Sequence, residues 1–384
     1  MVILPAQMPF ISYPYEWSFD MWRDAALVTL KIAIAAMEKS MMLKDATPFN
    51  IQFYKGRPVF IDTLSFEKYD ETKPWIAYRQ FCECFLAPLL LMHYDHRDTG
   101  KLFLTYPDGI PLDLVRALLP ARAKWNLHVH LHITLQAKLS AKAGRGEEKK
   151  GNFSMHKLAV LLNGLIEVVK GLKIKKARSE WDDYYSDTIS GDNYLSAKTA
   201  LIKKFTDDLS FNTVIDLGAN DGFFSMMLRD KASHIIATDA DSNCVNELYR
   251  QVRKQGIKNI VPLVSTLHHP SPAIGWMNKE RDSLTVRLKA DLVLALALVH
   301  HLAITANLPL ESIARWLHNM GEYVIIEFVP KSDEKVRLLL KKREDIFTDY
   351  SVEHFTATFK RYFTVLHREK AGNTDREIFL MKRN

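Results

Sequence analysis

The chain has 384 residues, with 52 lysines and arginines against 45 acidic residues and a formal net charge of +7. At roughly 100–200 residues per domain this length predicts two or three domains, with a core large enough to fold without disulfide bonds. A content of 47% hydrophobic and 25% charged residues excludes a disordered or fibrous chain, and the mild basicity permits an anionic partner without requiring one.

The cysteines and the amino terminus indicate where the protein works. Cys82, Cys84 and Cys244 have the spacing of neither a zinc site nor a redox pair, so we expect reduced thiols and a cytoplasmic protein. No basic region followed by an apolar stretch marks an export signal, and no apolar run reaches about 18 residues, so no membrane span is expected. His128, His130 and His132 alternate without a carboxylate nearby, which favours a polar face over a metal site.

The first part of the chain, residues 1–140, predicts a mainly α or α+β accessory or substrate-binding region. Asp45, Asn50 five residues later and Asp62 resemble the catalytic and metal-binding loops of protein and aminoglycoside kinases. Leu43-Lys44 replaces the expected His-Arg, no glycine follows Asp62, and the preceding residues are too few for a nucleotide-binding lobe. We therefore expect a degenerate kinase-like remnant, retained for structure or for substrate binding.

The middle of the chain predicts a linker at 141–152 and a helical lead-in with a cofactor lid at 153–210. The linker lacks large apolar residues, and the helix that follows Ser154 repeats leucine and valine at intervals of three to four residues. The lysines that end this helix suit a solvated helix terminus better than a nucleic-acid site, because no aromatic residues are interleaved with them.

From residue 211 to 384 the pattern alternates between strands and helices. Five continuous apolar strands, each followed by helix-compatible sequence, predict a parallel sheet that is covered on both faces. The predicted strands lie at 213–217, 234–238, 259–264, 291–296 and 323–328, and two more, at 363–367 and 377–381, form a terminal hairpin. The fold class is therefore α/β, a Rossmann-like, seven-stranded, doubly wound sheet with an antiparallel terminal hairpin.

The loop after the first strand of this sheet indicates the ligand. It reads Val214-Ile-Asp-Leu-Gly-Ala-Asn-Asp-Gly-Phe-Phe-Ser225, and it places Asn220 and Phe223 where the dinucleotide fingerprint needs glycines. Asp221 adds negative charge where a pyrophosphate would bind, so NAD and FAD are disfavoured.

The same loop resembles the first motif of class I S-adenosylmethionine-dependent methyltransferases, in its D-x-G-x-N-x-G form, Asp216 to Gly222. The resemblance implies S-adenosylmethionine as cofactor and the ribose hydroxyls bound by Asp239, whose carboxylate accepts two hydrogen bonds. After the third strand Ser265-Thr266-Leu267 stands where many members have an aspartate for the adenine amino group. The implied cofactor site comprises Asp216, Gly218, Ala219, Asn220, Gly222, Asp239, Ala240, Ser265, Thr266, Leu267 and Ala297.

The candidate residues for binding the methyl acceptor lie after the fourth strand and in the segment before the first strand of the sheet. His300 and His301 stand at the strand exit, where an imidazole can take a proton from an alcohol or a phenol, or can shape the pocket. Trp181, Tyr184 and Tyr185 form an aromatic segment that either covers the substrate or anchors a helix. Glu327 ends the fifth strand and is a further substrate-binding candidate.

These features together predict an enzyme that transfers a methyl group from S-adenosylmethionine to a small-molecule acceptor, at oxygen. RNA or protein methylation and a non-catalytic scaffold with the same fold remain alternatives, and nucleic acid is the less favoured partner. The chain as a whole, including Pro9–Trp17, also resembles a group of bacterial methyltransferases linked to nodulation proteins. The oligomeric state is left open.

Overall fold

A computed structural model describes residues 6–142, 153–175, 191–341 and 344–384. The chain forms two compact units, Met1–Ala177 with Tyr249–Lys258, and Arg178–Leu248 with Asn259–Asn384. The sequence grouped 153–210 as one lead-in, whereas the structure divides its two described helices between the units. The linker predicted at 141–152 lies almost wholly outside the described residues.

The first unit is α+β, one of the two classes, mainly α or α+β, that the sequence predicts. Its helices are α1 (Phe19–Met37), α2 (Tyr78–Phe81), α3 (Ala87–Asp95), α4 (Leu102–Thr105), α5 (Leu112–Leu118), α6 (Leu127–Val129), α7 (Leu135–Lys142) and α8 (Met155–Gly171). Its strands are β1 (Met41–Leu43), β2 (Ile51–Tyr54), β3 (Arg57–Phe60) and β4 (Phe66–Lys68), which pair antiparallel as β1 with β4 and β2 with β3.

Aromatic side chains fill the core of this unit. Trp17 and Trp22 are buried and meet edge to face, with ring centroids 5.5 Å apart, and Phe103 packs against Trp22 at 5.4 Å. Such edge-to-face pairs add about 0.5–1.5 kcal/mol beyond the area that they bury. The long helix α1 is thereby fixed to the rest of the unit through its first turns.

The second unit contains the sheet. Its strands are β5 (Thr213–Leu217), β6 (His234–Asp239), β7 (Ile260–Val264), β8 (Ala290–Ala295), β9 (Gly321–Phe328), β10 (Phe363–Lys370) and β11 (Glu377–Arg383). Its helices are α9 (Gly191–Asp207), α10 (Phe223–Leu228), α11 (Ser242–Gln255), α12 (Leu284–Arg287), α13 (Leu310–His318), α14 (Glu334–Leu340) and α15 (Val352–Phe359). The α11 helix continues past Leu248, where the division between the units falls.

The strand order is β10-β11-β9-β8-β5-β6-β7. Strands β5 to β9 are parallel, and β11 runs antiparallel between β9 and β10. The predicted doubly wound sheet and its terminal hairpin are confirmed, with strand ends that differ by a few residues. The prediction succeeds because the central strands are buried on both faces, so their apolar residues are continuous rather than alternating.

Two local expectations about histidine and cysteine can also be compared with the structure. His128 and His132 lie on helical rather than extended backbone, and the buried His132 pairs with the Tyr78 hydroxyl at 2.7 Å. Cys82 and Cys84 are buried thiols in a π-helical turn. Within the described residues no group of three His, Cys, Asp or Glu could hold a metal, and no helix there is long and apolar enough to cross a membrane.

Candidate active site

A cavity of about 220 Å³ opens at the carboxyl edge of β5, β6, β7 and β8. Ligands of open α/β sheets bind at this edge, because the strand-to-helix loops there can vary without disturbing the sheet. The lining residues come from four successive loops: Gly218, Asn220, Asp239, Ala240, Ser265, Thr266, Leu267, His268, Leu296, Ala297, Leu298, His301, Leu302 and Thr305.

The loop after β5 is held in a backbone conformation that its sequence explains. Gly218, Asn220 and Gly222 have left-handed φ angles of 71°, 51° and 82°, which glycine and asparagine tolerate best. A Cβ on Gly222 would lie 2.5 Å from the Leu248 side chain, so this position requires glycine for space as well as for φ. The Gly218 N–H donates to the Thr238 carbonyl at 2.8 Å, which joins the loop to the end of β6.

Asp239 organises the neighbouring loop. One carboxylate oxygen accepts from the Asn220 N–H at 2.8 Å and the other from the Asp241 N–H at 2.8 Å. Burial raises the pKa of this carboxyl group, while the two backbone donors favour its ionised form. Each oxygen keeps acceptor capacity for a further donor, so the carboxylate can bind a diol at the cavity wall.

Asp216 lies beneath the loop rather than on the cavity wall. Its carboxyl group is buried and accepts from the Ser225 hydroxyl at 2.7 Å. Burial is the main cause that raises its pKa to about 6. Ala219 and Gly222 also do not line the cavity, so three of the eleven predicted cofactor residues lie outside the lining.

The loops after β7 and β8 complete the wall. The Ser265 N–H donates to the Asp239 carbonyl at 2.7 Å, which brings the predicted Ser265, Thr266 and Leu267 beside the carboxylate loop. Ala297 has a left-handed φ of 51°, an uncommon conformation for alanine, and it faces the same cavity. The residues predicted on separate strands are thus brought together by the sheet.

The two adjacent histidines occupy different environments. His301 lines the cavity, and burial lowers its pKa to about 4, so its imidazole is neutral at pH 7. His300 is fully buried away from the lining, and neither ring nitrogen has a hydrogen-bond partner within the described residues. Burial lowers the pKa of His300 well below its usual value. Only His301 is placed to meet a bound ligand.

Glu327 is not a wall residue, in contrast to its predicted role. Its carboxylate is completely buried and accepts from the Lys198 ammonium at 2.7 Å and from the Tyr194 hydroxyl. Arg376 donates to the Tyr194 oxygen at 2.9 Å and pairs with Asp333 at 2.8 Å. These five side chains form a buried charge network that connects α9, β9 and the terminal hairpin.

Several predicted residues lie elsewhere. Trp181, Tyr184 and Tyr185 are outside the described residues. In the first unit the Asn50 amide donates to Asp45 at 3.2 Å and to Ser65 at 3.0 Å, and the Ser65 hydroxyl donates to Asp62 at 2.5 Å. The kinase-like residues are therefore close together, and their role stays a prediction.

Sequence reasoning missed part of the wall. His268, Leu296, Leu298, Leu302 and Thr305 line the cavity without having been predicted. Leu298 and Leu302 flank the two histidines after β8. The histidines were predicted because ligands of open α/β sheets bind at the carboxyl ends of the strands, and the same reason predicts these leucines. No sequence signal connects Arg376 to Glu327, because they are joined only by the folding of the hairpin onto β9.

The sheet with one antiparallel strand and the cavity at its carboxyl edge place the second unit in the Rossmann-like, doubly wound class of α/β folds. The chain belongs to the family of the nodulation protein NoeA. It is 35% identical to NoeA from Rhizobium meliloti (strain 1021), an alignment that covers 97% of this chain and 80% of that protein. This relationship agrees with the predicted link to nodulation proteins, and no family model matches the chain.

Solved structures with lower similarity were also found. N-methyltransferase NodS from Bradyrhizobium japonicum WM9 is 7% identical, with a TM-score of 0.37, over 51% of this chain and 99% of that chain. A SAM-dependent methyltransferase from Aquifex aeolicus is 17% identical, with a TM-score of 0.34, over 54% and 100%. The bifunctional kinase-methyltransferase WbdD is 15% identical, with a TM-score of 0.35, over 54% and 42%.

Proposed function

We propose that the chain is an S-adenosylmethionine-dependent methyltransferase that acts on a small-molecule acceptor at oxygen. The observation that carries the proposal is the cavity at the carboxyl edge of the sheet, where Asp239 meets the left-handed loop of Gly218 and Asn220. This loop is the one whose residues resemble the first methyltransferase motif.

The chemistry of the cavity wall fits an adenosine-containing ligand without phosphates. Among the residues that the structure describes, the lining contains no lysine or arginine to neutralise a pyrophosphate. Asp239 has acceptor capacity for the two ribose hydroxyls, and Leu267 and Ala240 offer apolar contact for a base. Ser265 and Thr266 provide hydroxyls for polar groups on the ring. Asp216, Ala219 and Gly222 are assigned to holding the loop in shape.

Catalysis in this proposal depends mainly on positioning. S-adenosylmethionine supplies a methyl group already activated by its sulfonium, so an acceptor held in line needs little further help. Leu298, Leu302 and the other aliphatic side chains of the lining exclude water from the acceptor. His301, neutral at pH 7, accepts the proton of an acceptor hydroxyl or orients it, while the buried His300 shapes the wall behind.

The first unit is assigned an accessory or substrate-binding role rather than phosphoryl transfer. Both side-chain oxygens of Asp45 accept hydrogen bonds from within the unit, one from Asn50 and the other from the Gln80 amide at 2.6 Å. A carboxylate engaged in this way supports the local loop. The buried thiols of Cys82 and Cys84 support a cytoplasmic protein, since an oxidising compartment favours disulfides.

The cofactor site can be tested with two aspartates that each accept from two backbone N–H groups. We expect Asp239→Ala to weaken S-adenosylmethionine binding at least tenfold by calorimetry, because charged hydrogen bonds contribute about 1.5–3 kcal/mol each. Asp291 accepts from Asn212 and Thr213 at 2.8 Å, at the opposite edge of the sheet, so Asp291→Ala is the matched control and should keep the affinity. Equal affinities in the two variants would show that the ribose site is assigned wrongly.

The acceptor class can be tested separately with radiolabelled S-adenosylmethionine and a fractionated cell extract. We expect label in the small-molecule fraction, with little dependence on salt. Label in RNA that disappears as salt rises would replace the small-molecule proposal with a nucleic-acid one, because phosphate contacts release counterions. Binding of the cofactor without label in any fraction would indicate a non-catalytic scaffold.

A further inference from the structure

The first unit exposes a cluster of large apolar side chains that neither the fold nor the proposed reaction uses. Trp125 is 91% exposed and Leu127 is 64% exposed. We define the apolar patch as Leu118, Trp125, Leu127, Leu131 and Leu135, all of which are exposed. Contiguous apolar exposure of this kind marks an interaction site more often than scattered single residues do.

The patch is one face of an amphipathic helical segment. The helices α6 and α7 are joined by a π-helical turn, His130–Thr134, so residues 127–142 are continuously helical. Leu127, Leu131 and Leu135 repeat every four residues and therefore lie on the same side. Val129 and Ile133 are buried on the other side, which anchors the segment, and α5 with Leu118 packs beside it.

The chain segment that carries the patch has basic charges only. Between Asp113 and Glu147 the sequence contains no acidic residue. The same stretch contains basic residues, of which Arg116, Arg122, Lys124 and Lys138 are exposed. Exposed basic residues beside tryptophan and leucine are the composition of surfaces that lie in the interface of anionic membranes.

We propose that this surface docks on an anionic lipid bilayer. Trp125 and the leucines of the apolar patch enter the headgroup region, and Arg116, Arg122, Lys124 and Lys138 pair with lipid phosphates. Tryptophan suits this depth because its ring is apolar and its indole N–H is a donor. A second copy of the chain is a poorer occupant, because a symmetric contact would place like charges opposite each other. Nucleic acid would leave the aliphatic side chains without a partner.

The proposal can be tested by sedimenting the full chain with vesicles. We expect binding to mixed phosphatidylcholine and phosphatidylglycerol vesicles, much weaker binding to phosphatidylcholine alone, and release as salt rises above about 0.15 M, where screening acts within about 8 Å. Trp125→Ala should weaken the partition coefficient about tenfold and Lys124→Glu at least fivefold. Both side chains are exposed, so the thermal midpoint should change by no more than a few degrees.

The second unit provides matched controls. Trp276 is 77% exposed and is followed by Met277 and the exposed Lys279. We expect Trp276→Ala and Lys279→Glu to bind the mixed vesicles as the unchanged chain does. Failure of the unchanged chain to bind the mixed vesicles would overturn the proposal, as would equal losses in the Trp125 and Trp276 variants. Vesicle-independent dimers that Trp125→Ala dissociates would assign the patch to a second copy instead.

Discussion

At the scale of single residues, the pair His300 and His301 shows how burial separates two identical side chains. Both pKa values are lowered by burial, but only the His301 ring faces the cavity. The rings lie 4.1 Å apart between centroids, so His300 also supports the position of His301. The two imidazoles differ in their access to a ligand because the His301 ring points into the cavity and the His300 ring points into the core.

A kinetic comparison tests the role of His301. We expect His301→Ala to lower methyl transfer by up to about 10²-fold, the low end of the range for a lost general base, because positioning supplies most of the catalysis and a pKa of about 4 makes this imidazole a weak base. Cofactor affinity should be nearly unchanged. Transfer is measured into the small-molecule fraction, and affinity by calorimetry.

His300→Phe is the matched variant for this comparison. It should keep most of the transfer activity and preserve or raise the thermal midpoint, because it removes two buried nitrogens that have no hydrogen-bond partner within the described residues. Equal losses of transfer in the two variants would remove the assignment of His301.

The sequence identified the histidine pair but could not choose between its members. A strand exit predicts that consecutive side chains diverge, whereas the direction of each depends on the π-helical turn that begins at His301. Asp239 and Asn220 were predictable, since the first depends on the strand end and the second on a left-handed turn. The position of Asp216 beneath the loop required the Ser225 contact, which has no sequence signature.

At the scale of elements, the parallel strands were predictable and their buried charges were not. Continuous apolar runs define β5 to β9, since both faces are covered. Glu327 interrupts such a run at the end of β9, and from the sequence this position indicated a ligand. In the structure the interruption is satisfied internally by Lys198 of α9 and by Tyr194. An acidic residue at a strand end can therefore be proposed to bind substrate only after its partners within the protein have been identified.

Variants of Lys198 and Glu327 distinguish a structural role of this buried ion pair from a role in binding the substrate. We expect Glu327→Ala alone to destabilise the second unit by about 3–5 kcal/mol in denaturant unfolding, because the Lys198 ammonium remains buried without its partner. The double variant Lys198→Met with Glu327→Leu should recover much of this loss, since it removes both charges.

The kinetics of the double variant complete this test. A structural network predicts that the refolded double variant retains the KM for the acceptor. A KM that rises tenfold or more in a stably folded double variant would return Glu327 to the substrate site.

At the scale of the whole molecule, buried neutral histidines in both units predict sensitivity to acid. Burial lowers the pKa of His132 in the first unit and of His301 in the second to about 4. In the unfolded chain these groups bind protons at about pH 6.5, so between the two values the unfolded state holds more protons. Stability therefore falls as pH is lowered below about 6.5.

The test of this prediction is denaturant unfolding of the full chain between about pH 7 and 6, with probes for each unit. Each depressed histidine contributes a slope of about 0.7 kcal/mol per pH unit at pH 6.5, which approaches about 1.4 at lower pH. Asp216, whose pKa is raised to about 6, adds stability as the pH falls below that value. The effect of the histidines is therefore measured best between about pH 7 and 6. His132→Gln should flatten the slope of the first unit and leave that of the second. Unchanged slopes in this variant would contradict the prediction.

Calorimetric titration of the intact chain with S-adenosylmethionine tests the central claim most directly. The cavity at the carboxyl edge of β5 to β8 predicts saturable binding at one site per chain, competed by S-adenosylhomocysteine and weakened in Asp239→Ala but not in Asp291→Ala. No saturable heat at millimolar cofactor, in a chain shown to be folded, would contradict both the cofactor and the reaction proposed for this protein.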